Sequence, residues 1–201
     1  MFDNQLKVIL LGDSGVGKTS LIRVATGENF NKINTMSTIA SYFVQKTIQF
    51  EGKEYILNLW DTAGQETYLG VTKLFFKGSE IVIFVYDITS LKSYQSLENW
   101  INMAEEIIEN SHICAIVGNK NDLYLNAEVK EEQLKNLATS KNYLFKIVSA
   151  KTNPKDFTDF LFVLFKEYQN RFNSMARRQT VKLKSINTNN DPKANEKNKC
   201  C

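Results

Sequence analysis

Residues 6–19 read LKVILLGDSGVGKT, and the join in the middle of this stretch decides how the chain folds. Residues 6–11 are short, apolar and closed by glycine, the pattern of a buried strand. From Lys18 to about Thr26 the pattern is helical and ends at Gly27. Between the two stand Gly12, Gly15 and Gly17, although glycine weakens any regular element. Their use is to let the backbone pass where a side chain would block it. Gly-x-x-x-x-Gly-Lys-Thr between a strand and a helix is the P-loop pattern. Backbone N–H groups of Asp13, Ser14, Gly15, Val16 and Gly17, continuing into Lys18, Thr19 and Ser20, can ring a phosphate, with the positive end of the helix behind them. Lys18 adds a full charge for the outer phosphates, and the Thr19 hydroxyl can ligate Mg²⁺.

Strand and helix patterns alternate along the rest of the chain. Residues 42–50 and 55–60 read as two strands around the turn Glu51-Gly52-Lys53, too close to do anything but pair antiparallel. A short helix is expected over 66–76, and strands over 81–86, 113–117 and 143–148. One helical face begins near Ser93 and carries Leu97, Ile101, Ala104, Ile107 and Ile108. Residues 130–140 form another helix. Phe157, Phe160, Leu161, Leu164, Phe165 and Tyr168 mark the last, and from 173 composition predicts a disordered tail. The expected fold is α/β: a six-stranded, mostly parallel sheet with one antiparallel edge hairpin and helices on both faces. Residues 1–172 form the domain and 173–201 a basic tail. In such sheets ligands sit beyond the carboxyl ends of the strands.

Three further segments stand at such ends. In WDTAGQE, Asp61 closes an apolar strand and can hold Mg²⁺ through water, the Gly64 N–H can approach a terminal phosphate, and Gln65 can orient a water. In GNKNDL, residues 118–123, the Asp122 carboxylate can accept from N1–H and the 2-amino group of guanine, a donor pair adenine lacks, beside Asn119 and the Lys120 stem. The Ser149-Ala150-Lys151 segment can offer a backbone N–H to guanine O6.

The bulk numbers fit one domain and an appendage. The chain has 201 residues, 43% of them hydrophobic, and a net charge of +3. From Arg171 onward eight bases face two acids, a net +6, which leaves the preceding body at −3. A nucleic-acid-binding face on the body is therefore not expected. Three cysteines do not make a disulfide scaffold, and a reducing compartment suits them. Neither a secretory signal nor a spanning segment is visible.

GDSGVGKT, WDTAGQE, GNKND and SAK, in this order and spacing, resemble the Ras-type small GTPases over roughly residues 6–172. The resemblance implies GTP and GDP as ligands, Mg²⁺ as cofactor, and in-line attack of water on the γ-phosphate, with Lys18 and Gln65 as the catalytic pair. It makes Thr38 the threonine that joins Thr19 and Asp61 around the metal, and Phe30 the aromatic that packs on the base. The final Cys200-Cys201 is similar to the paired prenylation site of the Rab branch, where two lipid chains hold a membrane that one holds only marginally. Ile39, Phe43, Trp60 and Phe75 match that branch's effector surface; Phe43, Trp60 and Phe75 serve core packing equally well.

The partners so implied are an exchange factor, a GTPase-activating protein, effectors, and prenylation escort and dissociation-inhibitor proteins. The protein itself is expected to be monomeric, cytoplasmic, and held peripherally on the cytoplasmic face of an intracellular or plasma membrane. Ala40 replaces the branch's usual glycine, and Thr67-Tyr68 its arginine–phenylalanine pair. Between Met1 and Asn170 the only arginine is Arg23, along the first helix and away from the phosphates, so slow unassisted hydrolysis is expected. Two other readings stay open on the residues: a GTP-binding interaction protein with negligible turnover, and a P-loop nucleotide kinase.

Overall fold

A computed structural model describes residues 4–32, 42–62, 76–107 and 112–188, the last sixteen only in part: side chains are described to Phe172. Six strands form one sheet: β1 (Gln5–Leu11), β2 (Tyr42–Phe50), β3 (Lys53–Asp61), β4 (Ile81–Asp87), β5 (Ile113–Asn119) and β6 (Leu144–Ile147). Their order is β2-β3-β1-β4-β5-β6, with β2–β3 antiparallel and every other pair parallel. This is the sheet expected above, with the hairpin at its edge.

Strict alternation along buried strands sorts the core into two layers. Val8 and Leu10 of β1, Ile81, Ile83 and Val85 of β4, and Ala115 and Val117 of β5 face one side. There α1 (Lys18–Ala25) brings Leu21 and Ile22, and the last helix brings Phe157, Leu161, Leu164 and Phe165. Ile9, Leu11, Val82, Phe84 and Ile116 face the other side. That layer is closed by Leu97, Trp100, Ile101 and Ala104 and by Leu134 and Ala138. Each Val, Leu, Ile or Phe among them, removed from water, is worth about 1.5–3 kcal/mol, so both faces are firmly held and only the strand ends are left for chemistry.

Two expectations need correction. The helix expected from Ser93 is two helices, α2 (Leu91–Gln95) and α3 (Leu97–Glu105). Ser90 starts the first by accepting from the Ser93 N–H at 3.2 Å. At Ser96 the hydroxyl donates back to the Lys92 carbonyl at 3.0 Å, a bond known to bend helices. Next comes α4 (Glu131–Lys141), which starts where the Lys130 N–H donates to Gln133 Oε1 and ends at left-handed Asn142.

The second correction is the tail. Helix α5 runs Pro154–Thr188, well past the expected onset of disorder at 173. Composition asks whether a segment can fold alone, whereas this one follows a helix whose nucleus is already paid for by packing. Residues 173–188 contain no glycine or proline, and Met, Ala, Arg, Gln, Lys and Leu in them are good helix formers. The chain divides into two units, Met1–Tyr168 and Gln169–Cys201. Among the described residues no helix is long and apolar enough to cross a membrane. The short helix expected over 66–76 lies, except for Phe76, outside the described residues.

Candidate nucleotide site

The loops after β1, β3, β5 and β6 meet at the carboxyl edge of the sheet. In the first, a Cβ on Gly12 would lie 2.1 Å from the Val85 carbonyl oxygen, so only glycine lets the loop leave β1 against β4. Gly17 stands at the N-cap of α1 in left-handed backbone and offers no capping side chain. The first turn of that helix therefore keeps N–H groups for an anion. Lys18 is 5% exposed. Its ammonium donates to the carbonyls of Gly12 at 2.6 Å and Asp13 at 2.9 Å. Burial pushes this ammonium down to about 8, against the pull of Asp61 and Asp13. Ser20 is buried, Val16 is buried, and Ser14 and Gly15 lie exposed at the rim.

Asp61, fully buried at the end of β3, accepts from the Thr19 hydroxyl at 2.7 Å. The neighbouring Thr62 hydroxyl donates to the Leu10 carbonyl at 2.7 Å and ties this loop to β1. Two of the three expected metal ligands are thus side by side.

Asn119 is the keystone of the rim. Its Nδ2 donates to the Val16 carbonyl at 3.0 Å, and its Oδ1 accepts from the Ala150 N–H at 3.2 Å. One buried amide joins the P-loop to the segment after β6. Asp122 Oδ1 accepts from the Ser149 hydroxyl at 2.6 Å, and Lys151 Nζ lies 3.9 Å from Oδ2. The backbone N–H groups expected for guanine O6 are engaged within the protein: Ala150's by Asn119, and Lys151's by Ser149 Oγ at 3.3 Å. Lys120 Nζ sits 2.7 Å from Asp87 Oδ2. A cleft of about 410 Å³ opens here, lined by residues 13–16 and by Asp87, Ser93 and Lys120.

Phe30 lies in a 3-10 turn, Phe30–Lys32, partly buried against the core. Phe43 and Trp60 stack at 5.1 Å, with Phe43 half exposed and the Lys7 ammonium 4.7 Å from the Trp60 ring centre. Arg23 is ion-paired with Glu28 at 3.6 Å. Thr38, Ile39, Gly64, Gln65, Phe75, Cys200 and Cys201 lie outside the described residues.

Two residues of this rim escaped sequence reasoning. Asp87 closes an apolar strand just as Asp61 does, so the signal was present. Trp100 carried none: its indole N–H donates to Asp13 Oδ1 at 2.9 Å across 87 positions of sequence. Trp100→Phe removes that donor and strands a carboxylate, so it is expected to cost about 2 kcal/mol of stability. Urea unfolding of the nucleotide-free protein measures this, and an unchanged midpoint would mean that Asp13 finds another donor.

A family model described as the Ras family matches residues 7–170. Ras-related protein Rab-13 of Rattus norvegicus is 38% identical over 152 residues, which cover 76% of this chain and 74% of that protein. Ras-related protein SEC4 of Candida albicans is 36% identical over 152 residues, covering 76% and 72%. Ras-related protein RGP2 of Oryza sativa subsp. japonica is 36% identical over 144 residues, covering 72% and 66%. With the sheet order, the family model and these relatives in agreement, the chain belongs to the Ras family and within it to the Rab branch, as a small GTPase that binds guanine nucleotide and hydrolyses GTP.

Proposed function

We propose that the protein is a membrane-recruited GTP/GDP switch acting in vesicle traffic, and that the rim described above is its nucleotide site. The observation that carries this reading is the pair of hydrogen bonds of the Asn119 amide, donated to the Val16 carbonyl and accepted from the Ala150 N–H, which makes the phosphate loop and the base loop one unit. Residues 13–20 cradle the phosphates by their backbone, and Lys18 neutralises charge developing on the transferred group. Asn119, Lys120 and Asp122 take the base together with Ser149, Ala150 and Lys151, and Phe30 packs against it. The Gly64 N–H and Thr38 meet the γ-phosphate, so that loops ordered with GTP are released with GDP. Gln65 orients the attacking water.

Mg²⁺ fits the oxygens present, because a hard ion that keeps waters and phosphate ligands needs few protein donors. Thr19, Thr38 and Asp61 would hold it, and it would supply charge neutralisation at the phosphates. Turnover is slow without an activating protein, since Arg23, in the last turn of α1, leads away from the phosphates. Effectors read Ile39, Phe43, Trp60 and Phe75. Residues 1–172 are the switch domain and 173–201 the tail. Cys200 and Cys201 carry prenyl groups that hold the protein peripherally on a cytoplasmic membrane face, and exchange, escort and dissociation-inhibitor proteins move it through its cycle. The −3 body gives no support to nucleic-acid binding, and the switch works as a monomer.

Displacement of a fluorescent GDP tests the site. GTP and GDP are expected to compete, and a thousandfold excess (about 4 kcal/mol of mass action) of ATP to leave the probe in place. Displacement by ATP would return the nucleotide-kinase reading. Chelating divalent ions should then speed GDP release at least about tenfold, the effect of removing one charge-neutralising contact. A release rate indifferent to chelator would remove the metal from the site.

A further inference from the structure

Asp87 ends β4 opposite Asn119, its register partner in β5. Its surroundings fix it on three sides. The Asp87 N–H donates to Ser93 Oγ at 3.1 Å, and Oδ1 accepts from both the Thr89 N–H at 2.9 Å and the Thr89 hydroxyl at 2.8 Å. Only Oδ2 is left to face the loop after β5, and it meets Lys120 Nζ at 2.7 Å. The adjoining Ile88 N–H donates to the Asn119 carbonyl at 3.1 Å, so strand and loop are locked at this level.

Lys120 is under opposite demands. Its backbone is left-handed, φ 69°, which disfavours a residue with a long side chain. Its side chain is one-third exposed and, without Asp87, would sample many rotamers. Yet it lines the same cleft as Ser14, Gly15 and Val16 of the P-loop. Asp87 itself is one-tenth exposed, so the pair is screened far less than a surface ion pair.

We propose that Asp87 is a positioning residue for nucleotide retention: it holds the Lys120 ammonium in place before the ligand arrives, so that binding does not have to order it. This rests on the reading of Asn119–Asp122 as the base loop. Preorganisation of this kind acts mainly on dissociation.

The test is a double-mutant cycle on the full chain, with release of fluorescent GDP as the readout. Asp87→Asn keeps the size and leaves Oδ1 for Thr89 but removes the charge; it is expected to speed GDP release about tenfold with little change in association. Lys120→Met should speed release as well, and in that background Asp87→Asn should add nothing. A purely architectural Asp87 would act equally in both backgrounds, and additive effects would overturn the proposal. Release by Asp87→Asn at the natural rate would overturn it too. Should Asp87→Asn not fold, Asp87→Glu keeps the carboxylate but displaces it by one methylene, and its smaller acceleration must likewise vanish with Lys120→Met. If the unaltered chain holds no GDP at all, the base-loop reading fails first, a result distinct from either outcome of the cycle.

Discussion

In a titration with GDP, Gly17→Ala is expected to bind about 10²–10³-fold more weakly than the unaltered chain. The added methyl would stand 2.3 Å from Asn119 Nδ2. That amide cannot retreat, because it is 2% exposed and holds Val16 with one end and Ala150 with the other. Something must give: either the amide lets go of both loops or the P-loop lifts away from it. Leaving buried polar groups without partners costs about 1–3 kcal/mol each. Gly17 also has φ 98°, where a side chain adds about 1–2 kcal/mol of strain. Since the two loops form one site only while Asn119 bridges them, the loss should fall on nucleotide affinity first and on thermal stability second. Calorimetry and a melting curve on the same preparation separate the two. Unchanged affinity would mean that the loops meet the ligand independently and that the bridge is incidental.

That bridge shows what a sequence can and cannot disclose. The sheet was legible because residues 81–86 and 113–117 are unbroken apolar runs and 6–11 nearly so, while residues 42–50 and 55–60 lie too close to pair other than antiparallel. The four loops were legible because each follows a strand end and each carries residues a buried end would not otherwise tolerate. What joins them was hidden. Asn119 could be seen as a polar residue after an apolar strand, but not that its two ends point at Val16 and Ala150. Trp100 belonged to a helical apolar face like any other, and its N–H could not be traced to Asp13. The bend at Ser96 turns on one hydroxyl rotamer, beneath the resolution of a periodicity. The helix to Thr188 depends on a neighbour that composition does not weigh. Asp87 was different, since the rule that picked out Asp61 applied to it unchanged.

Asp122→Asn is expected to lower GDP affinity by about 10⁴-fold, the scale on which sites built around a hydrogen-bonding group reject a ligand that cannot meet it. The fold should survive, for Oδ1 can go on accepting the Ser149 hydroxyl, now at 2.6 Å from the carboxylate. The second position changes character. Oδ2, which has only the Lys151 ammonium at 3.9 Å, becomes an NH₂ and turns from acceptor to donor. Guanine brings N–H donors to that place, so donor would face donor in a site that is largely screened from water. A base with a carbonyl at C2 reverses the sign: xanthosine diphosphate presents an acceptor where guanosine diphosphate presents an amine, and should bind the variant better than it binds the unaltered chain. Adenosine nucleotides gain nothing, because they offer neither group. Measured side by side with the same fluorescent competitor, the three ligands separate a loss of recognition from a loss of structure. A variant that binds neither guanosine nor xanthosine diphosphate has lost its fold, and one that still prefers GDP has Asp122 pointing away from the base.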